Sequence, residues 1–480
     1  MRDVSANVPA SFERDRVVWI AVAALILAGL VPLVWPGDVP FINDEPLLIA
    51  KALSANRSGR LAPMGLLGTY GFVYGPAPIW VYQVLVASSR DLVIVAALHI
   101  LLMSAATAGA LWWLSRSLRL WVWFAPIPLL SPYYWFYSRV LWDNPFLLPL
   151  GALAMAGYAA HLASGSPLGL RVALAAMLAI PLVHLMGVSL ILPLALHMLV
   201  VRRRSVWQHR YSLAAIAGGA LLLAWPYWRY LAGPRPPAPG AEGVIDGWLF
   251  PLFGARLLSA RGLDYFYGPG PVAGELFRIL GAATSIAYAL AWGGIVVAVT
   301  LVVKAARARA WAPRSHVAAI AVAAVLCQSA IDGISVKFQH PHYQNGTWIA
   351  CVLLAWFGVD YLAGGRRTAR WGAAALTGVL ASSLLLAVGT LAVTLHRSRG
   401  TRDVYGPTLA NQQQVVRALT KYASSSDVQV HVDMWQRFPW TLTTLRQLNA
   451  GRQVGLPRAT IELRYASADP ASGAIEMVAR

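Results

Sequence analysis

The sequence predicts an all-α polytopic membrane protein of about 11 transmembrane helices with a small extracytoplasmic α/β appendage at its C-terminus. Three observations predict it. Hydrophobic residues fill 58% of the 480 positions and charged residues only 12%, about half the charged share of a soluble domain. The mean hydropathy is +0.56, and apolar runs long enough to cross a bilayer recur along the chain. Finally, much of the net charge of +19 sits in short arginine clusters between those runs, such as "RRR" at 202–204 and "GRRTAR" at 365–370. That is the positive-inside distribution, and it excludes the nucleic-acid partner that so basic a chain would otherwise suggest.

Each element follows in order. Residues 1–16 read as a cytoplasmic tail. The run after it ends in "VWPGD", without a small-residue cleavage site, so Val17 to Trp35 reads as a retained first helix. An outer loop, 36–90, carries a short apolar run at 79–87 that lies along the interface or dips into it. A second span (91–114) ends at Arg116 and Arg119. The third rises from 120 to "YYWFY" (133–137), an interfacial aromatic belt by composition. The polar turn "SRVLWDNP" leads into a fourth, 146–162. The long run 171–201 reads as two short spans broken at "PLVHLMG", because only two return Arg202–Arg204 to the cytoplasm. Spans at 211–231, 277–303, 317–334, 347–363 and 372–395 complete the body (17–396), with outer loops at 232–276 and 335–346. Segment 397–480 turns mixed and polar. "PTLANQQQVVRALTKYA" and "TTLRQL" have helical spacing, while "VQVHVDM", "TIELRY" and "AIEMVA" alternate like strands. Cys327 and Cys351 fall in or beside apolar runs and read as packing residues.

This topology gathers the unusual polar residues on the outer side, where ionisable groups at membrane depth mark substrate paths. In "FINDEPLLIAKAL" (41–53), Asp44 and Glu45 follow Asn43 and precede Pro46. They suit a helix N-terminus, and they also place carboxylates where a lipid-borne and a water-borne reactant would meet. In "SRVLWDNPF", Arg139 and Asp143 suit an ion pair, or a guanidinium fork aimed at a phosphate with Asp143 holding it. In "VKFQHPHYQ", Lys337, His340, His342 and Tyr343 suit either a bland loop or the head group of a lipid-linked phosphate. His184 stands alone in an apolar run, as a core residue or a lining of the same path. No phosphate-binding glycine motif, H-E-x-x-H or paired-cysteine motif occurs. No cofactor is required, although two close carboxylates could hold a divalent metal.

Taken in order, "NDEPLLIAKAL", "YGPAPIW", "SRVLWDNPFLLPLGALAM", "HLMGVSLILPLAL" and "HPHYQNGTWIACVLLAW" resemble the C-type (GT-C) membrane glycosyltransferases, in particular the protein mannosyltransferase and aminoarabinose-transferase-like branch. The resemblance covers roughly residues 17–363. It implies that Asp44 is the general base on the acceptor, that Asp143 is the aspartate of the second turn, and that the donor is a sugar on polyprenyl phosphate. The late loop departs from many relatives, having "HPHYQ" where they carry an Arg-Tyr pair. Physical reasoning points the same way. An outward-facing site cannot draw on cytoplasmic nucleotide sugars, so the sugar arrives on a lipid. The departing phosphate is then stabilised by nearby cations, and a carboxylate takes the acceptor's proton.

The expected protein is therefore an inner- or plasma-membrane glycosyltransferase, N-terminus cytoplasmic, site and C-terminus outside. It would transfer a hexosyl or pentosyl group, with inversion, to a hydroxyl of a glycan, lipid or protein. Asp44, Glu45 and Asp143 would be catalytic; Arg139, His184, Lys337, His340, His342 and Tyr343 would bind substrate. The alternatives are a lipid or polysaccharide transporter and a ligase using a diphosphate-linked donor.

Overall fold

The structure, a computed structural model, describes residues 10–68, 72–233, 271–335, 341–365, 367–402, 405–423, 428–433, 441, 444, 459–467 and 472–479. The expected residues Lys337 and His340, most of loop 232–276, and "TTLRQL" apart from Thr444 lie outside them. The chain is overwhelmingly helical, as a backbone in lipid must close its hydrogen bonds within itself. Among the described residues, six helices are long and apolar enough to cross a membrane, and five shorter apolar helices of 10–17 residues accompany them.

The first helix, α1 (Ala10–Leu30), tightens into a 3-10 turn at Val31–Leu33. Helices α2 (Asp44–Arg57) and α3 (Ala77–Ser88) pack on each other within the first long loop. Helix α4 (Leu92–Leu118) begins where the Asp91 carboxylate accepts the Val93 N–H at 2.9 Å. It ends at Arg119 in the left-handed conformation.

The third span is not one helix. It is a 3-10 turn (Val122–Phe124) and two short helices, α5 (Ile127–Leu130) and α6 (Pro132–Tyr137). Pro126, Pro128 and Pro132 explain the breaks, since each lacks an N–H and clashes with the preceding turn. Nor is its aromatic cluster a membrane-facing belt. Tyr133, Tyr134, Trp135, Phe136 and Tyr137 are all buried, with Tyr134 stacked on Trp348 at 5.5 Å and its hydroxyl donating to the Met103 carbonyl at 3.2 Å. Composition counts the rings but not the neighbours that cover them.

Helix α7 (Leu147–Ser164) packs against α4 and against α8 (Pro167–Ala179). The chain then breaks at 180–187 through two 3-10 turns and an extended His184, and returns as α9 (Val188–Val201). The return is visible at the far end, where Ser205 in α10 (Arg203–Gln208) meets His161 of α7 at 2.8 Å. The break expected from charge parity is thus present. The expected span at 211–231 is instead α11 (Arg210–Leu223) and α12 (Trp225–Ala232), separated at Ala224 just before Pro226. Helices α13 (Pro271–Ala308), α14 (Pro313–Ser335), α15 (Trp348–Ala363) and α16 (Arg367–Ser398) pack on one another.

Beyond them, α17 (Leu409–Ala423) precedes a three-stranded sheet in the order β1 (Val428–Asp433), β2 (Ala459–Tyr465), β3 (Ile475–Ala479). Strands β1 and β2 pair in parallel, β2 and β3 antiparallel.

The two ends of the helical body differ. One holds the arginine-rich turns and is clasped by Arg314. Its Nε donates to the Leu118 carbonyl at 2.7 Å and its Nη1 pairs with Asp360 at 2.8 Å. The other oxygen of Asp360 accepts the Trp121 N–H at 2.8 Å. The clasp joins the end of α4, the start of the broken segment, α14 and α15. Replacing Asp360 with Ala orphans both donors and is expected to lower stability by about 1–3 kcal/mol. Denaturant unfolding in detergent measures it; an unchanged midpoint would show that the clasp carries no load.

Candidate active site

At the opposite end, the first loop leaves α1 and is pinned before it reaches α2. The N–H groups of Leu409 and Ala410 donate to the carbonyls of Val39 and Gly37, each at 2.9 Å. The Tyr405 hydroxyl donates to the Asp38 carbonyl at 2.7 Å. Arg139, 2% exposed, donates through Nη2 to the carbonyls of Trp35 (2.7 Å) and Asp38 (3.1 Å), and its guanidinium lies 4.1 Å over the Trp135 ring. The packing is tight enough to dictate a residue type. Gly406 sits at φ +67°, and a Cβ there would come within 2.3 Å of Ile42. The pinned loop delivers Asn43 as N-cap and Asp44 as the first residue of α2.

The two acids then part. Glu45 is buried and folds back, its Oε2 accepting the N–H groups of Asn43 (2.8 Å) and Ile42 (3.2 Å). It satisfies amides that a helix start leaves unpaired. Asp44 instead accepts the indole N–H of Trp142 at 3.0 Å, across 98 positions of sequence. The backbone carbonyl of Trp142 is held by the Tyr82 hydroxyl at 2.9 Å. The next residue, Asp143, is also buried and caps the 3-10 turn Asn144–Phe146, accepting the Asn144 N–H at 2.7 Å. Three carboxylates from two distant loops therefore share one corner.

Their environment controls their protons. Burial lifts the Asp143 carboxyl to about 8, the negative charge of Asp44 adding to the effect and the Asn144 amide opposing it. Burial lifts Glu45 to about 7, against its amide donors and with Asp44 again adding.

Of the remaining sequence-nominated residues, His342 is buried on the edge of Trp142, ring centroids 4.6 Å apart, with Tyr343 beside it at 4.3 Å. His184 is buried in the 180–187 break, its Nδ1 accepting the Met186 N–H at 3.2 Å and its ring 4.2 Å from Tyr74. The two turns touch where Gly346 approaches Gly187, leaving no room for a Cβ. The structure thus joins Asp44, Glu45, Asp143, His342 and Tyr343, with His184 on the adjoining turn. Arg139 sits behind the first loop. Sequence reading missed Trp142 and Tyr82, and the pairing of Asp38 with His396 at 2.9 Å beneath Trp35. Trp142 had a signal, standing directly before Asp143 in the polar turn; His396 had none. Among the described residues, no group of three or more His, Cys, Asp or Glu side chains is arranged to hold a metal ion.

No protein-family model matches the chain, and no curated protein matches it by sequence. Solved structures do match by shape. ArnT from Cupriavidus metallidurans bound to undecaprenyl phosphate superposes with a TM-score of 0.54 at 15% identity, over 96% of this chain and 97% of that one. The apo state of the same protein gives 0.51 at 16% identity, over 96% and 87%. The fold is that of ArnT. The resemblance drawn from the five short motifs is borne out at that level, and the likeness spans the C-terminal segment as well as the helices.

The buried acids make a testable claim about pH. An unfolded chain releases these protons near pH 4, whereas the folded protein holds them until about 7 and 8. The folded state binds more protons in that window, so stability falls as pH rises through it. Thermal unfolding midpoints in detergent should fall between pH 4 and 8 and level off above it, and Asp143→Asn should flatten that decline. Parallel curves for the two proteins would contradict the buried acid.

Proposed function

We propose that this chain is an integral-membrane glycosyltransferase that moves a sugar from a polyprenyl-phosphate donor to an acceptor hydroxyl at the outer membrane face. One observation carries the reading: Asp44, held by Trp142, shares one corner with Glu45 and Asp143 at the end of the helical body opposite its arginine-rich turns. Support comes from the fold shared with ArnT, whose structure holds undecaprenyl phosphate. The charge rule puts the arginine turns, and with them the N-terminus, in the cytoplasm, so the acidic corner and C-terminus face outward.

Asp44 is the base. Glu45 is occupied by two amides of its own helix start, and Asp143 carries its proton at neutral pH. The Trp142 indole orients the Asp44 carboxylate without neutralising it. As the acceptor oxygen bonds to the anomeric carbon, its proton passes to Asp44. The anomeric C–O bond to phosphate breaks on the opposite face, its electron pair leaving with polyprenyl phosphate, and the centre inverts. Protonated Asp143 donates a hydrogen bond to the sugar or its phosphate. Lys337 and His340, with His342, Tyr343 and His184 on adjoining turns, meet the leaving phosphate. Arg139 is a positioning residue here, because its guanidinium is committed to loop carbonyls and a tryptophan face. Loop 232–276 and segment 397–480 select the acceptor.

Asp44→Asn should keep the fold and lower transfer by about 10²–10⁴-fold. The assay follows release of polyprenyl phosphate from a labelled short-chain polyprenyl-phosphate sugar, with envelope lipid extract as acceptor. Undiminished release in the variant removes Asp44 as base. Movement of intact donor across a vesicle, without bond cleavage, would replace the reading with transport.

A further inference from the structure

A polar cavity lies away from the acidic corner, at the far end of α2. It measures about 810 Å³ and is lined by Arg57, Arg60 and Arg90 together with Asn56 and Gln83. The donor phosphate reacting beside Asp44 does not reach it. Helix α2 runs 14 residues from Asp44 to Arg57, about 20 Å at 1.5 Å per residue.

The cavity is built. Gln83 is buried between the two helices. Its amide nitrogen donates to the Asn56 side-chain oxygen and to the Arg60 carbonyl, each at 3.0 Å, and its oxygen accepts the Ala62 N–H at 3.0 Å. Asn56 donates in return to the Gln83 carbonyl at 2.8 Å. The end of α2, the turn through Gly59 and the end of α3 are thereby fixed, so the arginines rise from a rigid frame.

The arginines need an explanation. A cation at a helix C-terminus is favoured by the macrodipole, which accounts for Arg57. The same holds for Arg90, just past the end of α3, but not for Arg60, beyond the turn; and neither dipole explains why all three converge on one cavity. Their guanidinium groups make no hydrogen bond or ion pair with any described residue. The nearest acid along the chain, Asp91, is engaged by Arg417 at 2.6 Å and Gln413 at 3.0 Å. All three also stand at the end of α4 away from the arginine-rich turns, against the charge bias of the rest of the chain.

The surroundings identify the medium. Leu61, on the cavity wall, is 54% exposed, and Val84, next to Gln83 on α3, is 69% exposed. Large apolar side chains facing outward beside three cations are the pattern of a surface lying in the membrane interface, apolar face in the acyl region and basic face at the head groups.

We propose that this cavity binds the phosphate of an anionic lipid head group on the membrane side of the acidic corner. The inference stands apart from the proposed transferase activity. It is tested on the full chain in neutral detergent by following the thermal unfolding midpoint against added short-chain phosphatidylglycerol, phosphatidylcholine or inorganic phosphate. Phosphatidylglycerol should raise the midpoint saturably and phosphatidylcholine should not. Each Arg→Gln change at Arg57, Arg60 or Arg90 should weaken the apparent affinity about fivefold, and the triple variant about a hundredfold. A matching response to inorganic phosphate supports phosphate recognition without the lipid tail; a response to phosphatidylglycerol alone assigns the lipid. Equal responses to the anionic and zwitterionic lipids overturn the proposal without needing any variant. An unchanged titration in the triple variant overturns it as well.

Discussion

A guanidinium taken out of water must find acceptors, and Arg139 finds them in the backbone carbonyls of Trp35 and Asp38. Those carbonyls belong to the loop that follows α1, where Trp35 also accepts the Asp38 N–H at 2.9 Å and the turn holds both carbonyls toward the guanidinium. The consequence is a fixed distance between the first loop and the turn that follows α6, which carry Asp44 and Asp143 respectively. The Asp38 carbonyl also receives the Tyr405 hydroxyl, so the C-terminal segment is tied to the same point. Three stretches of chain, far apart in sequence, meet at one peptide unit, and the geometry of the acidic corner follows from that junction.

Crowding three carboxylates into an apolar setting would be costly if all were ionised. The structure relieves the cost in two ways. Backbone amides solvate Glu45 and Asp143 from the side, and burial favours their protonated forms. Asp44 receives a different partner, a neutral indole N–H that fixes direction and brings no charge. Three chemically similar acids thus acquire separate roles from their surroundings, the arrangement by which acid and base functions coexist at one pH.

How much of this was legible in the sequence depended on which rule each segment obeyed. The break at 180–187 was readable because charge parity demands an even number of crossings between 162 and the arginines at 202–204. The strands of the C-terminal segment were readable from alternation. The buried cluster at 133–137 was misjudged because Tyr and Trp suit both a membrane interface and a core, and only packing partners such as Trp348 tell them apart. Charge suits Arg139 and Asp143 to an ion pair, but α6 ends at Tyr137, turns separate the two residues, and Arg139 reaches backward to the first loop instead. Trp142 escaped notice because its place beside Asp143 marks the turn but not its partner, which lies 98 positions away.

The C-terminal segment is more than an attachment to a finished helical body. Its backbone donates to Gly37 and Val39 through Ala410 and Leu409, and the hydroxyls of Thr441 and Thr444 donate to the carbonyls of Phe41 (2.7 Å) and Pro46 (3.3 Å). These contacts bracket Asn43, Asp44 and Glu45 from both sides. The Phe41 carbonyl precedes the helix start and the Pro46 carbonyl follows the acidic pair, so the N-terminal turn of α2 is held from outside as well as by Glu45 within. A turn gripped at both ends fixes the direction of its first side chain. The orientation of Asp44 toward Trp142 is therefore a joint product of the polar turn before α7 and of residues some 400 positions downstream. Helical packing alone would leave that carboxylate on a loop end with nothing to choose its direction.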